Sequence, residues 1–482
     1  MSNKIPNLKD FNFRADQHRF RQGDLCLVLD VLSGSIHAVD QVVWDLLEAL
    51  EEQNGDLELA LTYLLENQAD RGYSAADLQE AADEIVDLIS EGTLFNQDPW
   101  RNNGITDSFG KAVVKSLCLN VAHDCNLSCE YCFASRGNFG GSSKLMPFEI
   151  GKAALDFLVE HSENRQHCEV DFFGGEPLLN FAVVKQIVEY GRQIEIVYGK
   201  KIQFTLTTNA VLLEAEIQDY LNQNNISMVL SLDGRPEVHD RMRVFPDGSG
   251  SYAEVRPRIQ AMAESRQHQN YYVRGTYTKS NLDFAQDVLH LADQGFQQVS
   301  VEPVVAPETE DYALGAEDLP QIFAEYDRLA SALEQREEEG RQFNFFHFDL
   351  NLEHGPCLPK RLKGCGAGNE YLAITPEGDI YPCHQFVGRP EYRMGNLLEK
   401  NKIKWETMDE FRNAHIYGKS ACSGCWTRFY CGGGCHANAQ AFNGTIYQPY
   451  WLGCEIQKKR LEVAVYMQAK RLIKAVDAKK NK

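Results

Sequence analysis

The sequence predicts an α/β protein, in which a partial (β/α)6 barrel lies between a small N-terminal domain and a cysteine-rich C-terminal domain. Three observations support this fold class. Six short apolar segments alternate with helical patterns between residues 116 and 305, a hairpin pattern with three amphipathic stretches precedes them, and eight of the fourteen cysteines occur from Cys357 onward. A chain of 482 residues also exceeds the usual size of one hydrophobic core, so several domains are expected.

The N-terminal domain is expected to span residues 1–96. Apolar and β-branched residues flank a Ser-Gly turn within residues 18–40, which indicates two strands of a hairpin. Three amphipathic stretches then predict helices, the last of which begins behind Ser74, a typical capping residue. Residues 97–112 combine proline, glycine and polar residues without periodicity, so they are expected to form a linker.

The barrel is expected to span residues 113–345. Its predicted strands are SLCLNVAH, CEVDFFG, IQFTLTTN, SMVLSLDG, YYVRGTYT and QVSVEPVV, and the segments between them are long enough for helices. Parallel strands of this kind are usually covered on both faces, and ligands collect at their carboxyl ends. The charged helical stretch within residues 307–343 is typical of a solvated face, and no function is assigned to it.

The composition disfavours several classes of partner. The chain has 69 acidic and 48 basic residues, and this net charge of -21 disfavours contact with nucleic acid or anionic membranes. The N-terminus lacks the apolar core of a signal peptide and no run of about 18 apolar residues follows, so a cytoplasmic location without a membrane partner is expected. In such a chain, clustered cysteines indicate metal binding rather than disulfides.

A first cysteine cluster follows the first predicted barrel strand. Cys125, Cys129 and Cys132 occur in the segment CNLSCEYC. A four-iron cluster normally has four cysteine ligands, so three cysteines leave one iron open to another molecule. A structural zinc site is the alternative, although zinc would require a fourth protein ligand. The cysteines in apolar segments are expected to be buried small side chains: Cys26, Cys118 and Cys168.

This segment, with Tyr131 before its last cysteine, resembles the signature of the radical S-adenosylmethionine superfamily. The resemblance implies that the three cysteines are catalytic and hold a [4Fe-4S] cluster whose open iron chelates S-adenosyl-L-methionine. Reduction of that cluster would release a 5'-deoxyadenosyl radical, which abstracts hydrogen from a substrate. The second predicted strand ends in FFGGEPLL, which is similar to the GGEP motif of the family, although GGEP alone could be only a turn.

The resemblance also implies a set of cofactor contacts at the ends of the first four strands. The backbone of the two glycines and the glutamate carboxylate of GGEP would meet the cofactor ammonium, and residues after the third and fourth strands would meet its ribose and methionyl groups. The expected cofactor-binding residues are Tyr131, Gly174, Gly175, Glu176, Thr208, Asn209, Ser231, Asp233 and Arg243, while Arg274 could face the cofactor or the substrate.

The later cysteines resemble the SPASM extension of radical S-adenosylmethionine peptide-modifying enzymes. The patterns CGAGNEYLAITPEGDIYPC and CSGCWTRFYCGGGC carry this resemblance, and the domain is expected to span residues 346–482. It implies two auxiliary [4Fe-4S] clusters, hence three clusters in all, while two zinc knuckles are the alternative. By resemblance, one cluster is bound by Cys365, Cys383 and Cys435 and the other by Cys422, Cys425, Cys431 and Cys454, and Cys357 either completes the first or leaves an iron open for a substrate thiolate.

Three longer phrases are most similar to maturases that form thioether crosslinks in cysteine-rich ribosomal peptides, including the six-cysteine (SCIFF) and ranthipeptide maturases. The phrases are NVAHDCNLSCEYCFAS, YLAITPEGDIYPCHQFVG and CGGGCHANA. The N-terminal domain is similar to the winged-helix domain of those enzymes, in which the leader of the precursor peptide adds a strand to the hairpin edge. The implied reaction is hydrogen abstraction and carbon–sulfur bond formation, with an auxiliary cluster holding the thiolate and accepting the surplus electron. An electron donor such as flavodoxin or ferredoxin is the second implied partner.

Two other functions stay open from the sequence. A sulfatase maturase oxidises a cysteine or serine to formylglycine with the same three clusters. That family has an aspartate base after the cysteine that matches Cys383, whereas this chain has His384, which could also act as a base and is expected to be catalytic. The third hypothesis is a non-catalytic iron–sulfur scaffold that binds peptides, and the open-site cysteine loop and GGEP count against it.

Overall fold

The computed structural model describes residues 8–67, 72–101, 113–350, 358–399 and 403–480. Cys357 and most of the predicted linker lie outside these ranges. Within them, no helix combines the length and apolar character needed to cross a membrane.

The N-terminal region contains a three-stranded antiparallel sheet with the order β1-β2-β3. The predicted hairpin is therefore wrong by one strand, because a second turn at Gly23, where φ is +57°, precedes the Ser-Gly turn. The capping prediction is confirmed: Ser74 and Asp77 each accept the backbone N–H of the other. The elements are α1 (Phe13–Asp16), β1 (Gln17–Gln22), β2 (Leu25–Asp30), β3 (Ile36–Val39), α2 (Gln41–Glu52), α3 (Leu57–Asn67) and α4 (Ala75–Ser90).

Both faces of this small sheet are covered. Val28 points into the core formed with α2, α3 and α4, whereas Leu27 and Leu29 belong to the main core of the protein. Successive side chains of β2 thus pack into two different cores, which explains why this strand is apolar at consecutive positions. The sheet is consequently packed against the rest of the chain on its second face.

Six parallel strands form the partial barrel, in the order β10-β9-β8-β7-β6-β4, and all six predicted strands are confirmed. They are β4 (Ser116–His123), β6 (His167–Gly174), β7 (Lys201–Thr208), β8 (Ser227–Ser231), β9 (Tyr271–Tyr277) and β10 (Gln298–Pro303). Two short strands, β5 (Lys144–Leu145) and β11 (Asn344–Phe345), are added at β4 and at β10. The helices are α5 (Phe148–His161), α6 (Phe181–Tyr198), α7 (Ala215–Gln223), α8 (Pro236–Met242), α9 (Tyr252–Ser265), α10 (Phe284–Asp293) and α11 (Leu319–Glu338).

Only one face of these strands is apolar throughout. Leu117, Leu119 and Val121 of β4 are fully buried in the main core, while Cys118 lies on the opposite face in a separate cluster. β6 and β7 show the same alternation, with buried residues toward the main core and partly exposed, largely polar residues between them. The expectation that both faces are covered therefore holds for β4, which is buried throughout, whereas the inner faces of β6 and β7 are partly exposed and bound a polar interior.

The C-terminal region continues the barrel sheet. β12 (Tyr371–Ile374) pairs in parallel with β4, and β13 (Asp379–Tyr381) and β14 (Gly395–Asn396) follow in antiparallel order. Short helices surround the cysteines, and one long helix ends the described chain. These helices are α12 (Leu358–Lys363), α13 (Trp405–Asn413), α14 (Ser420–Ser423), α15 (Arg428–Cys431), α16 (His436–Asn443) and α17 (Trp451–Lys480).

One buried arginine joins the N-terminal and C-terminal regions. Arg428 is 1% exposed and donates to the carboxylates of Asp16 at 2.5 Å and Asp98 at 3.1 Å. Arg101 donates to both oxygens of Asp16 as well, at 2.6 and 2.8 Å. Buried charges are stable only when they are paired, so these residues fix how the N-terminal sheet lies against the C-terminal region.

Candidate functional site

The three cysteines of the first cluster lie in a loop directly after β4, as predicted. The loop is attached to the segment after α8, because the N–H groups of Ser128 and Glu130 donate to the carbonyls of Val244 and Met242. Burial raises the pKa of Cys125 to about 12 and of Cys129 to about 11, and the neighbouring thiols add to both shifts. The three sulfur atoms therefore form one partly buried group of free thiols.

Two glycines allow the chain after β6 to approach this loop closely. A side chain at Gly174 would meet the carbonyl oxygen of Ala122 at 2.2 Å, and one at Gly175 would meet that of Asp124 at 2.1 Å. The same carbonyls accept the N–H groups of Gly175 and Glu176, both at 2.8 Å. The GGEP motif thus places its backbone against the first residues of the cysteine loop, where only glycine fits.

The carboxylate of Glu176 is fully buried and points toward the end of β7. One oxygen accepts from the Leu178 N–H at 3.0 Å and the Thr208 hydroxyl at 2.8 Å, and the other accepts from the Asn209 N–H at 2.8 Å. Burial raises the pKa of Glu176 to about 7 against the effect of these three donors. In this geometry Glu176 positions its neighbours, and its expected contact with the cofactor ammonium stays a prediction.

Asn209 connects this arrangement to the first cysteine. Its side-chain nitrogen donates to the side-chain oxygen of Asn126, Oδ1, at 2.8 Å and lies 3.6 Å from the Cys125 sulfur. The side-chain nitrogen of Asn126, Nδ2, is buried with no hydrogen-bond partner among the described residues. A buried unsatisfied amide beside free thiols fits a site that takes up an anionic group.

Tyr131, Asp233 and Arg243 form a second buried group beside the cysteine loop. Asp233 accepts from the Tyr131 hydroxyl at 2.6 Å and from Arg243 Nε at 3.0 Å, and the guanidinium lies 5.4 Å from the centre of the Tyr131 ring. The Arg243 charge lowers the pKa of Cys129 against the larger effect of burial. Ser231, at the end of β8, is half-buried beside this group. The structure therefore brings the expected cofactor-binding residues to one edge of the barrel.

The later cysteines influence one another in two groups, and the expected assignment of each group to one cluster stays a prediction. Cys383 is influenced electrostatically by Cys435 and Cys365, whereas Cys422 is influenced by Cys431, Cys454 and Cys425. Burial raises the pKa of Cys422 to about 12 and of Cys454 to about 11, and it raises that of Cys383 further. Every described cysteine is a free thiol. Cys357 lies outside the described residues, so its role stays a prediction.

These groups fit clusters better than single ions. Backbone N–H groups already point at the sulfurs, as in the bond from the Gln385 N–H to Cys383 at 3.3 Å, and such donors stabilise cluster thiolates. In the part of the chain that the structure describes, no three His, Cys, Asp or Glu side chains converge closely enough to hold one metal ion. A cubane cluster binds its cysteines through different irons, so it accommodates wider spacing than zinc does.

His384 lies in the barrel interior, between the first cysteine loop and the first auxiliary cysteines. Its ring centre is 5.7 Å from that of Phe133 and 5.0 Å from that of Phe173, and Nδ1 is 2.8 Å from the Tyr371 hydroxyl. Burial lowers the pKa of His384 to about 4, with a smaller contribution from Arg274. The imidazole is therefore neutral near pH 7, and one of its nitrogens is a proton acceptor.

Sequence reasoning missed several residues of this interior. Tyr371 packs in the same cluster as the buried thiol of Cys118, which the sequence had suggested to be an ordinary core residue. Asn120, two residues further along β4, is fully buried and its side-chain amide has no partner among the described residues. Spacing along β4 places Cys118 and Asn120 on one face, and this alternation was the one available signal.

Charged residues occupy the opposite wall of the interior. Glu302 of β10 is bound by His347 at 3.1 Å and by Arg460 of α17 at 3.2 Å, and these two partners hold the pKa of Glu302 well below its ordinary value despite burial. Arg274 of β9 is exposed to the same space and influences Glu302, His347 and His384 electrostatically. The interior is thus lined by polar and charged groups.

Comparison with known proteins agrees with this organisation. Residues 110–254 match the model of a 4Fe-4S single cluster domain, and residues 365–426 match SPASM, an iron-sulfur cluster-binding domain. The radical SAM cyclopropyl synthase TigE of Paramaledivibacter caminithermalis is 21% identical over 375 residues, 72% of this chain and 72% of that protein. A cysteine-type anaerobic sulfatase-maturating enzyme of Clostridium novyi is 23% identical over 344 residues, 68% of this chain and 90% of its own.

A solved structure confirms the fold. Native anSMEcpe with bound AdoMet superposes with a TM-score of 0.60 and 21% sequence identity, over 75% of this chain and 99% of that one. The α/β fold class with a partial barrel is therefore confirmed. The family models also confirm iron–sulfur clusters at both cysteine-rich regions, so the zinc alternatives are not retained.

Glu176→Ala should weaken the first cluster site. The substitution leaves buried N–H groups of Leu178 and Asn209 without an acceptor, at about 1–3 kcal/mol each, and releases Asn209 from its place beside Cys125. We expect a lower Tm and a fall from about twelve to about eight irons per chain after reconstitution and gel filtration. Glu189→Ala, an exposed position on α6, is the control, and unchanged iron content in Glu176→Ala would refute this role.

Proposed function

Because this chain is a radical S-adenosylmethionine enzyme with a SPASM domain, we propose that it forms thioether crosslinks in a cysteine-rich precursor peptide. The observation that carries the proposal is the position of His384. The residue next to an auxiliary cysteine lies in the barrel interior against Phe133, which follows the last cysteine of the first cluster. A radical formed at the first site and a peptide thiol near the auxiliary cysteines can therefore meet within the polar barrel interior.

The proposed cofactors are S-adenosyl-L-methionine and three [4Fe-4S] clusters. When bound, they supply a 5'-deoxyadenosyl radical at the first site and one-electron acceptors at the auxiliary sites. The chain's own residues hold the cofactor. Asp233 fixes Arg243 through Nε, and in the described chain the terminal nitrogens of Arg243 make no hydrogen bond, so they can bind the methionyl carboxylate. The Tyr131 hydroxyl fixes Asp233 in turn.

His384 is proposed to take the proton of the peptide thiol. In the tautomer that donates from Nδ1 to the Tyr371 oxygen, Nε2 is free to accept. Thioether formation breaks one C–H and one S–H bond and forms one C–S bond. The hydrogen atom from carbon goes to the 5'-deoxyadenosyl group, the thiol proton goes to the base, and the remaining electron goes to a one-electron acceptor. The peptide therefore loses two hydrogens in total.

The N-terminal sheet is proposed to bind the leader of the precursor. β3 is an edge strand in the order β1-β2-β3, so its outer backbone groups can pair with an added strand. A groove of about 400 Å³ lies between β3 and the last turns of α17. Its apolar residues are Ile36, Ala38, Ala469, Leu472, Ile473 and Val476, of which Leu472 and Val476 are about half exposed. An extended peptide on β3 could place alternate apolar side chains there.

Formylglycine formation is the second candidate. It is favoured by the similarity to the sulfatase-maturating enzyme and by the placement of a neutral base after Cys383. The two reactions differ in the fate of sulfur, because a thioether keeps the cysteine sulfur in the peptide and formylglycine made from cysteine loses it. A flavodoxin or ferredoxin is proposed as the reductant in either case, and the protein is proposed to work in the cytoplasm without a nucleic-acid or membrane partner.

The reconstituted enzyme should convert a cysteine-rich precursor to a product that lacks two hydrogens. The assay combines anaerobic protein, dithionite, S-adenosyl-L-methionine and cysteine-rich peptides with candidate leaders, followed by mass spectrometry with thiol alkylation. We expect retained sulfur, one fewer alkylated thiol per crosslink, and one 5'-deoxyadenosine per event. Loss of the sulfur would instead establish formylglycine formation, and no cofactor cleavage would leave the scaffold hypothesis.

His384→Ala should separate cofactor cleavage from crosslinking. Loss of a general base typically lowers a rate by about 100-fold or more, whereas the residues that hold the cofactor are unchanged. We expect 5'-deoxyadenosine formation to continue while thioether formation falls by that factor. Tyr371→Phe, which removes the hydrogen bond to Nδ1, should give a smaller loss, and His268→Ala on the outer surface serves as the control. An unchanged crosslinking rate in His384→Ala would exclude the base role.

Charges in the groove beside β3 should weaken precursor binding. The double variant Leu472→Asp, Val476→Asp should raise the Kd of a fluorescently labelled precursor at least tenfold, which corresponds to about 1.4 kcal/mol. Ile196→Asp, at an 87% exposed position on α6, is the matched control. Anisotropy titration measures the affinity, and equal affinities for the double variant and the control would contradict this leader site.

A further inference from the structure

A buried lysine lies between the two groups of auxiliary cysteines. Lys419 precedes α14 and its side chain is fully buried. Its Nζ donates to the Gly433 carbonyl at 2.7 Å and lies 3.2 Å from His436 Nδ1. Within the described ranges its hydrogen-bond partners are this carbonyl and this imidazole and no carboxylate, which is exceptional for a buried ammonium group.

The charges that face Lys419 come from both cysteine groups. Burial lowers the pKa of Lys419, and the charges that four cysteines would carry as cluster ligands act in the opposite direction. Two of them belong to each expected cluster: Cys365 and Cys435 to one, Cys422 and Cys431 to the other. Four-iron clusters with cysteine ligands carry net negative charge, so the loaded sites would provide the compensation that a buried ammonium requires.

The hydrogen bond to Gly433 also supports the loop that joins the two groups. Cys431 and Cys435 are separated by three glycines with φ of +69°, +97° and +72°, a conformation that residues with side chains rarely adopt. The backbone of Gly433 and Gly434 lowers the pKa of the Cys431 thiol against the larger effect of burial. Lys419 therefore holds the peptide unit that sets where a ligand of one cluster lies relative to a ligand of the other.

We propose that Lys419 is a shared positioning residue of both auxiliary clusters, whose charge stabilises the reduced state of each and links their reduction potentials. The inference rests on the clusters of the proposed function but not on the thioether product. A nearby cation favours the more negative, reduced cluster, so its removal should lower both midpoint potentials. Because one charge faces both sites, removal of that charge should shift the midpoint potentials of both clusters together.

The test uses the full chain with the first site removed by Cys125→Ala, Cys129→Ala and Cys132→Ala, so that only auxiliary clusters are observed. Iron content and potentiometric EPR titrations are measured for Lys419, Lys419→Met and Lys419→Arg. With about eight irons bound, Lys419→Met should lower the ratio of reduced to oxidised cluster at fixed potential at least threefold for both signals, about 30 mV for a one-electron couple. Lys419→Arg, which keeps the charge, should leave both midpoint potentials close to those of the protein with Lys419.

Lys458→Met is the matched control. Lys458 acts on Cys425 and Cys454 of the second expected cluster and is paired with Glu455 at 2.7 Å, so the cluster of Cys365, Cys383 and Cys435 should keep its potential in this variant. A fully loaded Lys419→Met protein with unchanged potentials, or with one shifted and one unchanged potential, would overturn the proposal.

Lys419→Gln covers the case in which Lys419→Met does not bind iron, because the amide can still donate to Gly433 without the charge. Loss of iron from both variants but not from Lys419→Arg would support the positioning role, and loss from all three would count against a role of the charge. Crosslinking by the chain with the first site intact is assayed separately. Shifted potentials without a thioether product would refute the proposed function alone.

Discussion

The parallel pairing of β4 with β12 determines how the chemical groups of this protein meet. β4 leads into the first cysteine loop, and β12 leads through β13 to Cys383 and His384. The register places Ala373 opposite Cys118, so both belong to one inner surface. Because the C-terminal region continues the barrel sheet, its first cysteine group lies below the barrel interior instead of on a separate lobe.

Sequence patterns were sufficient for the elements that depend on local order. Apolar alternation predicted all six barrel strands, and Ser74 marked the start of α4 because a capping box involves only four successive residues. The pairing of β12 with β4 could not be predicted, since it joins segments far apart in the chain through a four-residue strand. The third N-terminal strand was missed because only the Ser-Gly turn was used, although Gly23 and Asp24 form a two-residue Gly-Asp loop that is itself a hairpin signal.

The candidate site was also predictable only where its features depend on local sequence. Motif spacing identified the cysteines, but it could not reveal that the Glu176 carboxylate turns toward Thr208 and Asn209, because rotamers depend on the surrounding fold. Tyr371 was missed for a related reason, since a tyrosine at the start of a strand is usually an ordinary packing residue. Its hydrogen bond to His384 and its place beside Cys118 appear only when β12 and β4 lie side by side.

The arginine between the N-terminal and C-terminal regions has a consequence for the length of the substrate. Since Arg428 is bound to Asp16 and Asp98, the edge of β3 stands at a set distance from the barrel interior and is not carried on a free tether. An extended chain spans at most about 3.6 Å per residue. If the leader binds at that edge as proposed, the peptide would reach the interior only beyond a minimum spacer, so the distance between leader and cysteine would decide which cysteine can react.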